Sequence, residues 1–403
     1  MSAHPDPQGP DPDLSLWSLA PGAFIPPAVF AVGQGAIAPV VVVSAAQLGA
    51  SPAAAALVVA SAGLGQIVAD VPAGAIVHRF GERRTMVAAA GLTILALFGC
   101  IVAPSLGLFT VAIFLTGVGT AVWLLARQAY LTAVVPFRLR ARAMSTLGGV
   151  FRIGLFVGPF IGGGAIALFG TDGAYWVHIV AAVLAVGVLL CARDLSEPVA
   201  AGAITQRPSL VGTVRDNRPV LATLGVGVLI VSAVRAARQV ALPLWGQQLG
   251  LSPATISVIF GISGAIDMLL FYPAGSIMDR RGRTWVGVPS MLVLGVALLA
   301  LPFTTGVASM IIVGLVLGIG NGLSAGIVMT LGADLAPPDR RAVFLGVWRV
   351  FADTGGGVGP FVIAGVTAVA TVGVGIGAMG VVGLLGAGWL GYWLPRRGEP
   401  RRG

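Results

Sequence analysis

The chain has 403 residues, 57% of them apolar and only 10% charged, with a mean hydropathy of +0.95 and a formal net charge of +9. A soluble domain covers itself with roughly a quarter of its residues charged, so this composition excludes a large water-facing globule and calls for a surface that meets lipid. All 24 cations are arginine and lysine is absent, which excludes a GxxxxGK[ST] phosphate loop, nucleotide-driven work and Schiff-base chemistry; no basic stretch interleaved with aromatics offers a nucleic-acid face.

The first segment, residues 1–21, is rich in Pro and Asp and has no basic region ahead of the first apolar run. It reads as a disordered tail and not as a cleavable signal. Twelve apolar runs follow, at roughly 22–48, 53–77, 85–104, 107–136, 143–169 and 174–192, then 220–248, 254–278, 285–303, 307–336, 342–369 and 372–394. A bilayer core of ~30 Å needs about 20 apolar residues per helix, and the longer runs imply tilt. The reading is an all-α membrane protein of twelve transmembrane helices. Its six-helix halves are 22–192 and 220–394, joined by a linker at 193–219 and closed by a tail at 395–403. Nineteen of the 24 arginines lie in the loops after even-numbered runs or in the C-terminal tail, and none lies in the loops after odd-numbered runs. Short positive loops stay cytoplasmic, so both termini are expected in the cytoplasm. Cys100 and Cys191 sit inside apolar runs and read as small hydrophobes. No metal-ligand pattern occurs, and neither metal nor cofactor is expected.

The halves align at one offset of 201 residues. Gln47-Leu48-Gly49 matches Gln248-Leu249-Gly250, Pro72-Ala73-Gly74 matches Pro273-Ala274-Gly275, and Gly158-Pro159-Phe160 matches Gly359-Pro360-Phe361. Six crossings return the chain to its starting side, so the repeat is parallel. Two such halves with a mid-membrane site between them are a design used by many secondary transporters.

The segment Gly275-x-x-x-Asp279-Arg280-x-Gly282-Arg283 resembles the GxxxDRxGR signature of the major facilitator superfamily. Its first-half copy keeps Gly74, Arg79 and Gly81 but has His78 in place of Asp and Glu82 before Arg83. In helix 5, Gly154, Gly158, Pro159, Gly162 and Gly163 form a GxxxGPxxGG run similar to that of drug/proton antiporters, while Ile113 stands where those proteins carry an Arg in helix 4. The resemblance implies a non-enzymatic secondary carrier of the inner (plasma) membrane, acting as a monomer among membrane lipid. Proton-coupled efflux of a small amphipathic solute by alternating access is its leading function. Uptake or exchange of an anionic metabolite is the alternative, motivated by five membrane arginines against three membrane aspartates; a receptor or scaffold on the same fold is a third reading. In the signature, glycine permits close helix approach. Asp279 is expected to pair with the N-terminal end of helix 5 and with Arg140 or Arg142.

Eight Arg and Asp residues lie well inside the runs: Asp70, Arg127, Arg152, Arg235, Arg238, Asp267, Arg349 and Asp353. Such charges are costly in a membrane, so they face the protein interior or a water-filled cavity. The resemblance places helix 5 beside helix 8 and helix 2 beside helix 11. Matching depths then suggest the pairs Arg152–Asp267 and Asp70–Arg349, leaving Asp353 less committed and a proton-carrier candidate beside Asp267. The same resemblance lines the cavity with helices 1, 4, 7 and 10, which offer Gln34, Arg127, Tyr130, Arg235, Arg238, Gln239, Trp245 and Asn321. Arg127 also fits a structural tie to helix-end carbonyls, Tyr130 and Trp245 fit interfacial anchors, and the helix-5 glycines fit simple packing.

Overall fold

A computed structural model describes residues 20–135, 139–192, 210–337 and 340–398. The expected N-terminal tail and most of the linker lie outside these residues, as does the end of the C-terminal tail. Among the described residues all regular structure is helical. Eleven helices are long and apolar enough to span a membrane, and a bent pair makes the twelfth. That bent pair is α1a (Ile25–Ile37) and α1b (Val40–Gln47). The first half continues with α2 (Pro52–Phe80), α3 (Glu82–Ile101), α4 (Leu106–Val134), α5 (Arg140–Phe169) and α6 (Asp172–Cys191). The second half holds α7 (Val226–Gln248), α8 (Pro253–Arg281), α9 (Thr284–Ala300), α10a (Val307–Ser324), α10b (Ile327–Leu335), α11 (Arg341–Val369) and α12 (Val372–Trp393).

Local chemistry sets these boundaries twice over. Ser51 and Ser252 each cap the next helix, accepting a backbone N–H three residues on, from Ala54 and Thr255, at 3.2 Å in both cases. Gly81 and Gly282, with φ of 80° and 99°, turn the chain out of α2 and α8. The starts of α2 and α8, of α4 and α10a, and of α5 and α11 all differ by 201 residues.

Two expected single helices are broken. The first run bends by 42° between α1a and α1b. Pro39 is the cause, for it has no N–H to continue the ladder and stands at the N-cap of α1b. The tenth run breaks at Ala325–Gly326. The GxxxDRxGR segment is also less of a loop than it reads, since α2 and α8 stay helical through Phe80 and Arg281.

Small residues bring backbones together inside each half. A Cβ at Gly154 or Gly158 would strike the carbonyls of Ala28 and Val32 on α1a. At the repeat-related Gly355 and Gly359 it would strike those of Leu229 and Ala233 on α7. Gly162 faces Ala36, and Gly163 faces Ser257 of α8. The helix-5 run is therefore a packing surface for α1a, with one glycine turned to the other half.

Between the halves, α5 packs on α8 and α2 packs on α11. A Cβ at Gly63 would lie 3.5 Å from Gly357 Cα, and one at Gly261 would strike the Phe160 ring. These contacts occupy the middle of the spans and the end away from the termini. Toward the terminus-bearing end, a Cβ at Gly74, Gly148, Gly275 or Gly346 would meet nothing within 4 Å. The glycine contacts across the seam lie at mid-span and at the end away from the termini, and these four glycines make none at the other end. The close approach expected of Gly74 and Gly275 is not made in this conformation.

Candidate functional site

The α5/α8 seam carries a continuous polar chain at mid-span. On α8, Ser263, Asp267 and Phe271 recur every four residues, which aligns them on one face. Arg152 of α5 approaches that face. Its Nη1 lies 3.4 Å from Asp267 Oδ1, and its guanidinium stacks 4.3 Å from the Phe271 ring centre. The other carboxylate oxygen of Asp267 accepts from Asn321 Nδ2 of α10a at 2.6 Å. Asn321 in turn accepts from Arg235 Nε of α7 at 3.0 Å. One turn along α7, Arg238 Nη1 donates to Ser263 Oγ at 2.8 Å. The chain Arg152–Asp267–Asn321–Arg235 thus links four helices and both halves.

Glycines make this reach possible. A Cβ at Gly318 would meet the Ser263 carbonyl, and one at Gly322 would lie 2.8 Å from the Asp267 carbonyl oxygen. With α10a held so close to α8, the short Asn321 side chain, 5% exposed, spans the gap.

The α2/α11 seam holds the remaining interior charges. Arg349 Nη2 lies 3.5 Å from Asp70 Oδ1, and Arg349 Nε lies 3.2 Å from Asp353 Oδ2. Asp353 is therefore not the less committed acid expected from the sequence. Spaced i, i+4 from Arg349, it shares that guanidinium with Asp70. One cation serves two carboxylates, and the three groups carry one net negative charge when both acids are ionised.

The other expected residues are placed as follows. Gln34 of α1a donates from Nε2 to Thr120 Oγ1 of α4 at 2.8 Å. Arg127, two turns along α4 from Thr120, stacks 4.1 Å from the Phe151 ring centre. Its Nε and Nη1 are buried and have no hydrogen-bond partner among the described residues. Tyr130 is 3% exposed, with its hydroxyl near Gly22. Gln239 is exposed on α7. Trp245 stands apart from the polar chain, because its Nε1 donates to Thr304 at 2.8 Å and its ring lines an open cleft of about 520 Å³ between α7, α9 and α12. At the terminus-bearing end, Asp279 is 75% exposed and lies 3.5 Å from Arg283. Arg283 also binds Asp334 at the end of α10b at 2.9 Å. The side chains of Arg140 and Arg142, expected partners of Asp279, are outside the described ones. His78, Arg79 and Arg280 are exposed at the same end.

The sequence reading passed over Thr120, Ser263, Phe151 and Phe271. A signal for the first was present. Adding the repeat offset carries Gln34 to Arg235 and Thr120 to Asn321, so the hydrogen bond Gln34–Thr120 and the hydrogen bond Arg235–Asn321 are one contact in two copies.

A family model described as Major Facilitator Superfamily matches residues 27–360 and 224–403. An uncharacterized MFS-type transporter of Bacillus subtilis, YhjO, is 21% identical over 73% of this chain and 72% of its own length. The multidrug resistance protein MdtH of an Enterobacter species is 24% identical over 71% of this chain and 70% of its own. Among solved structures, a D-xylose–proton symporter superposes with a TM-score of 0.69 at 18% identity, covering 96% of this chain and 98% of the other.

Proposed function

The chain belongs to the Major Facilitator Superfamily, and from that premise we propose that it exports small amphipathic solutes in exchange for protons by alternating access across a bacterial-type inner membrane. It is a multi-pass membrane transporter and not an enzyme. Export is supported by the multidrug resistance relatives and by the GxxxGPxxGG run of α5. The arginine-bearing loops and the termini lie on the cytoplasmic side in this reading. The end of the seam where Gly74 and Gly275 make no contact then faces the cytoplasm, from which an exporter loads.

The observation that carries the reading is the polar chain Arg152–Asp267–Asn321–Arg235, which joins the two halves at mid-span. Charges there are expensive to keep in a membrane. Groups that merely held the fold together would serve as well if they were apolar. A chain that links rocking bodies through one long ion pair has a use that apolar contacts lack. When the halves turn, Asp267 can release Arg152 and keep its bond to Asn321, so the carboxylate never stands alone. The α2/α11 seam supplies the proton site. Asp70 and Asp353 compete for Arg349, and protonating one of them leaves a neutral group of three that tolerates a low-dielectric setting.

Inverted membrane vesicles test this reading with a panel of labelled amphipathic compounds, with and without a proton gradient. Accumulation that collapses with an uncoupler and is indifferent to ATP is the expected result. Accumulation that survives the uncoupler, or that requires ATP, overturns it.

A further inference from the structure

The two seams are charged in opposite senses. The acids Asp70 and Asp353 are gathered on Arg349 at the α2/α11 seam. The rest of the interior holds four guanidinium groups, Arg127, Arg152, Arg235 and Arg238, against the single carboxylate of Asp267. Arginine keeps its charge in proteins, so three positive charges there lack an acidic partner among the described residues.

Their donors are also incompletely used. Arg127 Nε and Nη1 and Arg238 Nε are buried without a hydrogen-bond partner among the described residues. Arg235, half-buried, engages Asn321 through Nε. A buried donor left unmade costs free energy, and more so when it is charged. Three of the four groups are laid on aromatic faces: Arg127 on Phe151 at 4.1 Å, Arg152 on Phe271 at 4.3 Å and Arg238 on Phe260 at 5.6 Å. Stacking fixes the guanidinium plane and leaves its edge free for a carboxylate or sulfonate. The same rings offer an apolar wall to whatever carries that acid group.

Building on the transport reading above, we infer that the solute is an organic anion with an apolar or aromatic body, received by Arg127 of the first half and by Arg235 and Arg238 of the second. Guanidinium groups on both halves let a bound anion draw them together. Export of such an anion in exchange for a proton moves positive charge inward and negative charge outward, so the transfer is electrogenic.

The test uses the purified full chain and three matched probes, 2-naphthoate, 2-naphthamide and 2-naphthyltrimethylammonium. Thermal stabilisation in detergent reads binding, and flux into inverted vesicles reads transport. The expected result is that naphthoate stabilises the protein and is carried, while the amide and the ammonium are bound about tenfold more weakly or worse. Arg127→Gln and Arg235→Gln should each weaken naphthoate by about tenfold or more, as loss of a charged hydrogen bond implies. Arg127→Lys, which keeps the charge, guards against loss through misfolding and should recover part of the binding. Preference for the cation or the neutral probe, or no stabilisation by naphthoate at millimolar concentration, overturns the inference. Should the cation or the amide be carried, transport stands and only the anion assignment falls. Should none of the three probes move above empty-vesicle controls, the transport reading falls with it.

Discussion

Arg152 and Asp353 occupy equivalent places in the two halves, 201 residues apart. Each lies on a helix that faces the opposite half: Arg152 meets Asp267 across one seam, while Asp353 meets Arg349 of its own helix, and that guanidinium reaches Asp70 across the other seam. The duplicated unit therefore kept one architectural position and reversed its charge. One seam became basic and joined to the polar chain; the other became acidic and stands apart from it.

Exchanging the charges of the first pair tests its role. Arg152→Asp or Asp267→Arg alone should destabilise the protein by about 3 kcal/mol, the low end for a broken buried pair, since these side chains remain 22% and 16% exposed. The double exchange should recover part of both stability and flux. Thermal unfolding in detergent and vesicle flux read the two effects. Additive losses in the double variant would show that the residues act independently.

Asp70→Asn and Asp353→Asn should separate coupling from carriage. Each removes one carboxylate from Arg349 and leaves an ordinary one-to-one pair with no reason to bind a proton. Exchange of solute across vesicles at equal concentrations should persist, while accumulation driven by a proton gradient should fall at least about tenfold, a change worth about 1.4 kcal/mol. Loss of exchange together with accumulation would show that the acids serve the fold or the solute instead.

Packing around α1a gives a sharper stability contrast. Gly158→Ala places a methyl group against the Val32 carbonyl, whereas at Gly164 there is nothing within 4 Å. The first should lower stability by about 1–3 kcal/mol, the usual range for overpacking, and Gly164→Ala should be neutral. A melting curve of each variant decides, and equal melting temperatures would contradict the packing described for α1a and α5.

Topology is checked by labelling single cysteines after Cys100 and Cys191 are replaced. Ser51→Cys and Asp172→Cys should react with an impermeant reagent from outside the cell, and Arg207→Cys only after the membrane is opened. Outside labelling at position 207 would reverse the orientation and with it the side assigned to the Gly74 and Gly275 end of the seam.

Much of this architecture could be read from residues alone. The twelve apolar runs follow from hydropathy, and the 201-residue repeat returns as paired helix starts and paired caps. Hydropathy is blind to bends within an apolar run, so it passed over the break at Pro39 and the interruption at Ala325–Gly326. Depth along a helix, estimated from the rise per residue, matched Arg152 with Asp267. It could not rank the acids, because the four-residue spacing of Arg349 and Asp353 was weighed as depth and not as shared face. Trp245 illustrates a different limit. Its helix has a face toward the seam and a face toward α12, and its hydrogen bond to Thr304 belongs to the second.

The glycine contacts of α1a with α5 and of α7 with α11 have a mechanical consequence. Backbones locked carbonyl against helix cannot slide separately, so each half must turn as a stiff arm. The fulcrum lies where the seam is tight, near Gly163 and Ser257 at one end and Gly63 and Gly357 at mid-span. From the fulcrum away from the termini to the terminus-bearing tips the arm is about as long as the bilayer core is thick, ~30 Å. A rotation of about 10° then sweeps the tips through about 5 Å on that length, room enough to pass a flat aromatic ring, with no helix unfolding or bending on the way.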